Sequence, residues 1–131
     1  IPECAPHGHT DAMQDNDCIF CKIISGKIPS RKLYEDDLIY AFHDINPVAP
    51  VHFLIIPKAH IPTLSDAGPA HEAALGRMLG KVGELAREAG CTDGYRTLIN
   101  CGRVGRQEVY HLHMHVVGGP DPLPPMLVFE R

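Results

Sequence analysis

The sequence predicts the α+β fold class, with an antiparallel five-stranded sheet, one long helix and one short helix. Two observations support this prediction. Short segments rich in β-branched and aromatic residues recur along the chain and are separated mostly by turns, as in antiparallel sheets. Only one long segment, residues 69–90, has the apolar spacing of an amphipathic helix. The 131 residues suffice for one hydrophobic core, and no internal repeat indicates a second domain.

The first half of the chain supplies the short helix and three strands. Residues 1–16 mix Pro, Gly, His and Asp without periodicity, which predicts a flexible tail before a single domain over residues 17–131. Asp17 is a suitable N-cap for the short helix, because apolar residues then recur at helical spacing up to Gly26. The strands predicted after this helix are Lys32–Glu35, residues 38–43 and Val51–Pro57.

The second half supplies the long helix and two further strands. Pro69 is tolerated in the first turn of a helix, and Gly90 is a common C-terminal stop, so we expect the helix to span residues 69–90. Internal glycines weaken it, and packing must therefore hold it in place. The last two predicted strands are residues 95–100 and residues 109–117, joined by a glycine-containing loop.

The composition argues against nucleic-acid and membrane partners. The formal net charge is −4, and no Lys/Arg stripe provides the basic surface that nucleic acids require. No apolar run approaches the roughly 18 residues that span a bilayer. The five cysteines are odd in number and irregularly spaced, and no signal segment opens the chain, so we expect a reducing, cytoplasmic location. A small anionic ligand remains compatible with this composition.

Three histidines alternate with apolar residues in the predicted fifth strand. Because strand side chains alternate between faces, His111, His113 and His115 are expected to line one open face, about 7 Å apart, while Leu112 and Met114 face the core. A neutral imidazole is a competent nucleophile, and a neighbouring one can supply a proton near neutral pH. The pattern predicts phosphate chemistry; the alternatives are a histidine-rich strand without a ligand and an incidental metal site.

Cys18 and Cys21 form a C-x-x-C pair near the start of the predicted domain. Such a pair is compatible with a redox motif, with half of a metal site or with simple burial, and the pair alone does not distinguish these. Two further nitrogen ligands would complete a closed Cys₂His₂ zinc site.

The run from Tyr110 to Val117 resembles the signature of the histidine triad family, in which three histidines alternate with apolar residues. The resemblance is to the histidine triad nucleotide-binding protein branch, particularly its bacterial members, and covers about residues 17–126. It implies a homodimer whose sheet continues between subunits, an AMP-like nucleotide ligand, and hydrolysis of adenosine 5′-phosphoramidates without a cofactor for the chemistry. Further matching segments are Ile19–Ile24 and residues 28–30, 34–37, 41–45, 52–58 and 94–96.

The resemblance implies a two-step mechanism centred on His113. This histidine would attack the α-phosphorus, displace the amine and form a nucleotidyl-histidine that water then hydrolyses. The backbone carbonyl of His111 would fix the tautomer of His113, and His115 would hold a phosphate oxygen and help to protonate the amine. His52 matches a fourth active-site histidine of the family, although the position alone is also compatible with an ordinary half-buried strand histidine.

The resemblance also implies a nucleotide site. Asp44 resembles the carboxylate that accepts both ribose hydroxyls, and backbone N–H groups after Gly105 would cradle an oxyanion. Arg106 stands where family members commonly have glycine, and Glu108 stands where some carry serine. The full set of expected nucleotide contacts is Phe20, Phe42, His43, Asp44, Ile45, Asn100, Arg106, Gln107, Glu108, His113 and His115.

Some bacterial members of the family resemble this chain in a second way. Their C-x-x-C pair joins a histidine that follows a Pro-Lys pair and the first histidine of the triad. The resemblance therefore implies a structural Zn²⁺ ion held by Cys18, Cys21, His60 and His111.

Three other functions remain open at this stage. A dinucleoside polyphosphate hydrolase of the same family would use the same nucleophile. A non-catalytic nucleotide-binding or interaction protein would bind AMP without turnover. A thiol redox protein would use Cys18 and Cys21 and would be indifferent to chelators.

Overall fold

The structure of the protein is a computed structural model that describes residues 17–125. The predicted tail, residues 1–16, lies outside the described residues, as do residues 126–131 of the predicted domain. The strands of the sheet are β1 (Lys32–Glu35), β2 (Ile39–His43), β3 (Val51–Pro57), β4 (Tyr95–Leu98) and β5 (Met114–Gly118). Their order is β1-β2-β3-β5-β4, and all neighbouring strands are antiparallel. The predicted fold class is confirmed.

The short helix α1 spans Ile19–Ile24 and begins one residue later than expected. Its N-cap is Cys18 rather than Asp17, because the Cys18 sulfur accepts the backbone N–H of Cys21 at 3.2 Å. The chain turns away after the helix at Gly26, whose φ of 86° lies in the left-handed region that favours glycine.

The long helix α2 spans Glu72–Glu88 and is preceded by a separate 3-10 turn, Pro69–His71. The prediction of one continuous helix is wrong at this end. The backbone N–H of Gly68 donates to Nδ1 of His71 at 3.1 Å, which holds the first turn in the tighter geometry. Gly90 follows the helix with a φ of 110°, as a C-terminal stop requires. Across the part of the chain that the structure describes, no helix has the length and apolar character needed to cross a membrane.

Strand β3 lies between two apolar clusters and is buried on both faces. On one face, Phe53 and Ile55 pack with Leu85 of α2. On the other face, Leu54 packs in a cluster with Phe20 of α1. This double burial explains why the sequence of β3 is apolar almost throughout. Helix α2 covers the first face, whereas the six-residue helix α1 covers only part of the second.

Strand β5 is shorter than predicted. The sequence indicates a strand over residues 109–117, but the ladder with its neighbours begins only at Met114. The preceding segment is held by a different bond, since the N–H of Leu112 donates to the carbonyl of Ile61 at 2.7 Å. Alternation nevertheless persists, because Leu112 and Met114 are both buried in the cluster under α2. The three histidines therefore still point away from that cluster.

Candidate active site and metal centre

The register of the sheet places polar side chains from three strands on the face opposite α2. His52 of β3 and Arg96 of β4 both pair with Val117 of β5, while Leu98 of β4 pairs with His115 of β5. Residues that pair directly share a face, as do alternate residues along one strand. These side chains therefore lie on one face of the sheet, in a region that extends across the neighbouring strands β3, β5 and β4.

A cleft of about 870 Å³ opens on this face. His52, His113 and His115 line it together with Asp44. Its volume lies within the range of small-molecule sites, roughly 300–1,000 Å³. The other predicted contact residues that line the cleft are Asn100, Arg106 and Glu108.

His113 presents an unprotonated nitrogen to this cleft. Its Nδ1 lies 2.8 Å from the backbone carbonyl of His111 and must donate, because a carbonyl oxygen only accepts. A neutral ring then has its lone pair on Nε2. Burial lowers the pKa of His113, although the hydrogen bond to His111 and the charges of Asp44 and Glu108 oppose this shift. The edge-on ring of Phe20, with centroids 5.1 Å apart, fixes the imidazole further.

His115 has the opposite tautomer, which a relay through His52 sets. The backbone N–H of Val48 donates to Nδ1 of His52 at 3.1 Å, so the proton of a neutral His52 is on Nε2. This Nε2 lies 3.0 Å from Nδ1 of His115 and 3.4 Å from a carboxylate oxygen of Asp44. Nδ1 of His115 therefore accepts, and its Nε2–H is a donor. Burial, with the neighbouring His113 and His52, lowers the pKa of His115 to about 4.

The same relay argues against a metal ion between Asp44, His52 and His115. Ligand atoms of these three residues lie within 4.8 Å of one another, which is compatible with a metal by distance alone. Binding through Nε2 of His52 would, however, move its proton to Nδ1, which already accepts the N–H of Val48. We therefore treat this group as a proton relay.

The residues predicted to form the base pocket are divided between the two faces. Phe20 and Phe42 pack edge to face at 5.6 Å on the side of the cleft, and both are buried. His43 pairs with Phe53, whose ring lies 6.5 Å away, and so lies on the α2 side of the sheet. Ile45 is 86% exposed. Among the described residues that line the cleft, none of the four predicted wall residues is included, and their contact with a base stays a prediction.

The loop between β4 and β5 is closed by Gln107. Its side-chain oxygen accepts the N–H of Gly102 at 2.9 Å, and its amide nitrogen donates to the carbonyls of Pro62 and Val109 at 2.8 and 2.9 Å. This buried amide is occupied by the backbone, so a nucleotide contact through it stays a prediction. The loop also needs Gly105, because a Cβ there would lie 2.6 Å from the carbonyl oxygen of the Cys101 backbone.

The predicted oxyanion cradle after Gly105 has two of its N–H groups engaged within the loop. The N–H of Arg106 donates to the carbonyl of Arg103, and the N–H of Gln107 donates to the carbonyl of Gly102, both at 3.0 Å. The oxyanion cradle therefore stays a prediction. The side chains of this loop are more available to bind a ligand than these two N–H groups.

The four predicted zinc ligands meet in one buried cluster. The ligand atoms of Cys18, Cys21, His60 and His111 all lie within 4.8 Å of one another. The sulfur of Cys18 is 3.3 Å from Nδ1 of His111, and the sulfur of Cys21 is 3.3 Å from Nδ1 of His60. Tetrahedral Zn–S and Zn–N bonds of about 2.3 and 2.0 Å would separate such atoms by roughly 3.5 Å. The donor types and distances therefore fit a zinc ion once Cys21, which is disulfide-bonded in this structure, is reduced to a thiolate.

His111 is oriented as a metal-binding histidine. Its Nε2–H donates to the carbonyl of Pro57 at 2.8 Å, which leaves the lone pair of Nδ1 directed towards the sulfur atoms. Burial lowers its pKa to about 3, so the ring is neutral, as a ligand must be. Its side chain is 0% exposed. The expectation that all three histidines line one open face is wrong for His111, because it precedes the ladder and turns to the C-x-x-C pair.

Comparison with known proteins identifies the family. Residues 25–121 match the HIT domain. The chain belongs to the HIT domain family. It is 53% identical over 113 residues to the purine nucleoside phosphoramidase of Escherichia coli (strain K12), which covers 86% of this chain and 94% of that protein. The comparisons support a hydrolase of this family.

Two solved HIT structures resemble the fold closely. A histidine triad protein from Clostridium difficile has a TM-score of 0.79 at 45% identity and covers 85% of this chain and 96% of its own. A zinc-bound histidine triad family protein from Mycobacterium smegmatis has a TM-score of 0.70 at 36% identity, with coverages of 89% and 84%.

One wall of the cleft of this HIT domain was not predicted from the sequence. Arg96 and Leu98 lie beyond the histidines, and Arg96 donates to the carbonyl of Pro124 at 2.9 Å. Alternation could have placed these two side chains on one face of β4, but the choice of face depends on the register with β5. The other lining residues that the sequence did not indicate are Asn46, Val48, Ala49, Val117, Leu123 and Pro125.

Proposed function

We propose that this HIT domain hydrolyses the P–N bond of purine nucleoside 5′-phosphoramidates, such as AMP joined to an amine, through a nucleotidyl-histidine. One observation carries the proposal: a lone pair on His113 and an N–H donor on His115 belong to adjacent rings, with centroids 5.0 Å apart, in one cleft. The similarity to the purine nucleoside phosphoramidase of Escherichia coli supports the same substrate class.

In the first step, Nε2 of His113 attacks the phosphorus while the bond from phosphorus to the amine nitrogen breaks. The departing nitrogen needs one proton, which Nε2 of His115 supplies. The negative phosphate and the carboxylate of Asp44 both favour the protonated state of the His52–His115 pair that provides this proton. The pair is left neutral, and the nucleotide is joined to His113.

In the second step, water attacks the phosphorus and the bond to His113 breaks. The proton of the water returns to the His52–His115 pair, so the two steps together neither gain nor lose a proton. Nε2 of His113 regains its lone pair, and its Nδ1–H bond to the His111 carbonyl keeps the same tautomer throughout. The released product is the nucleoside monophosphate.

Trapping the intermediate tests this mechanism. A reaction with an AMP-amine quenched within the first turnovers should give a peptide that contains His113 and carries the added mass of AMP. The same experiment on His113→Gly should give no adduct, whereas His71→Gln, a change at a histidine outside the cleft, should give the parental adduct. An adduct on another residue, or steady turnover by His113→Gly at the parental rate, would overturn the proposal.

A paired assay separates the proposed activity from its nearest alternative. A dinucleoside polyphosphate hydrolase would use the same nucleophile on a P–O bond. We expect AMP-amines to have the higher kcat/KM when both substrates are assayed side by side with the same preparation. AMP binding without turnover of either substrate would instead support a binding protein.

We also propose that Cys18, Cys21, His60 and His111 hold a structural Zn²⁺ ion. The ion would cross-link α1 to the segment before β5 and would supply no chemistry at the phosphorus. Thiolate ligands need a reducing environment, which agrees with the expected cytoplasmic location. Metal analysis of purified protein should give one zinc per chain. Absence of zinc even after refolding with the metal, or a redox-active disulfide, would contradict this site.

We further propose that two copies form a homodimer through β4. Among the described strands β4 pairs only with β5, so its outer edge can extend the sheet into a second chain. Light scattering coupled to size-exclusion chromatography should give twice the 14.4 kDa of one chain. A mass of one chain at micromolar concentration would contradict it.

A further inference from the structure

Arg106 adopts a backbone conformation that its side chain disfavours. Its φ is 62°, and among the described residues it is the only non-glycine residue with positive φ. Glycine enters this region freely because it has no Cβ, and asparagine is tolerated because its short side chain can hydrogen-bond to the local backbone. The surrounding loop holds it there through hydrogen bonds on both sides of the turn. A disfavoured conformation that the loop maintains is a reason to ask what the side chain does.

The side chain of Arg106 lines the cleft and is not neutralised. Across residues 17–125 its guanidinium has no hydrogen bond or ion pair with another group. Arg96 lines the same cleft, and its only bond in this part of the chain is to the backbone carbonyl of Pro124. Two cations therefore face the cleft without a carboxylate partner. Glu108 is the carboxylate nearest in sequence, and it forms no ion pair with either of them.

The strand order places both arginines on the leaving-group side. Asp44 follows β2 and donates its N–H to the carbonyl of His52 in β3, so the expected ribose end lies at one side of the cleft. His115 lies in the middle, on β5. Arg96 lies on β4, at the opposite side, and Arg106 follows in the loop between β4 and β5. A phosphorus atom at the histidines would direct its amine towards the two cations.

We propose that Arg106, assisted by Arg96, selects phosphoramidates whose amine carries an anionic group, as an amino acid linked through its α-amine does. The inference rests on the proposed function and names the chemical class of its leaving group. The guanidinium would bind the carboxylate by charge-assisted hydrogen bonds, and these would form equally in the ground state and the transition state. The carboxylate on the amine should therefore lower KM and leave kcat nearly unchanged.

The test compares AMP linked to alanine with AMP linked to alaninamide, which has nearly the same shape but no carboxylate. We expect the ratio of their kcat/KM values to fall about tenfold in Arg106→Asn, chiefly through a higher KM for the alanine compound. Asparagine is the matched substitution, because it tolerates the left-handed backbone without the charge. Arg106→Lys should retain most of the preference, and added salt should reduce it in the parental protein.

The melting temperature separates binding from folding. Arg106→Gly and Arg106→Asn should unfold at or above the parental temperature, because both residues fit a φ of 62° better than arginine. A ratio that stays the same in Arg106→Asn, or a clear fall in melting temperature in both variants, would overturn the inference while leaving the P–N chemistry standing. Failure of the parental protein to turn over either compound would overturn the proposed function and, with it, this inference.

Discussion

His111 and His113 are two residues apart in one motif, yet their surroundings give them opposite chemistry. The ring of His111 donates through Nε2 to the Pro57 carbonyl and turns Nδ1 towards two sulfur atoms. The ring of His113 donates through Nδ1 to the His111 carbonyl and leaves Nε2 for the cleft. A single backbone carbonyl bound to each ring thus decides which nitrogen keeps its lone pair, and the neighbouring atoms decide whether that lone pair meets a metal or a phosphorus.

The largest expected effect is at the nucleophile. His113→Gly should lower kcat by about 10³-fold or more, because no other group can form the covalent intermediate. The affinity for AMP should stay within about threefold, since the phosphate and ribose contacts remain. Steady-state kinetics and calorimetric AMP titration measure the two quantities. Loss of AMP affinity together with activity would place His113 in binding rather than in chemistry.

The next largest effect concerns the predicted zinc site around His111. Cys18→Ser should remove the zinc ion and lower the free energy of unfolding by about 3 kcal/mol, because a structural metal links binding to folding. Cys101→Ser is the matched control, since Cys101 is outside the cluster. Denaturant unfolding and metal content report the result. Equal stability of the two variants would contradict a structural role for the metal.

A smaller effect is expected at His52, whose hydrogen bond to His115 sets the tautomer of that ring. His52→Gln breaks the path that gives His115 its tautomer, and kcat should fall about 10- to 100-fold with little change in KM. His52 is a positioning residue here, because it acts through His115. The kcat should also fall more steeply for amines of high basicity if proton delivery is impaired. An unchanged kcat would show that His115 needs no partner.

The smallest predicted effect is on stability at acid pH. The pKa of His115 is lowered to about 4 from its ordinary value of 6.5, by burial and by its histidine neighbours. The unfolded chain therefore takes up a proton before the folded chain does, and stability is lost as pH falls from about 6.5 to 4. Because the ring is only partly buried, solvent screening makes this loss of stability smaller than the pKa shift alone implies. Unfolding curves should show that the stability of the parental protein, relative to that of His115→Gln, falls as the pH is lowered from 7 to 4; a difference that does not change with pH would contradict the lowered pKa.

Much of the fold could be predicted because the local patterns are strong. The bounds of β1 and β3 agree with the prediction, since turn residues and prolines flank both segments. The start of β5 was wrong because alternation reveals faces but not pairing. Leu112 faces the core as expected, yet its N–H bonds to Ile61 rather than to a neighbouring strand.

The site was predictable only in part, for the same physical reason. The triad pattern indicated two cleft histidines correctly but not the burial of His111, which depends on the position of α1 and the loop after β3. The position of Arg96 in the cleft could not be predicted from the sequence, because a shift of one residue between β4 and β5 would turn its side chain to the other face of the sheet. The left-handed backbone of Arg106 has no signal in the arginine itself; the only indication is that family members commonly have glycine at this position.

Long-range ¹⁵N–¹H NMR of the imidazole rings tests the central claim most directly, because it reports the protonated nitrogen of each histidine. Near neutral pH we expect a proton on Nδ1 of His113, on Nε2 of His115 and on Nε2 of His111. A proton on Nε2 of His113 would leave no lone pair facing the cleft and would contradict the account.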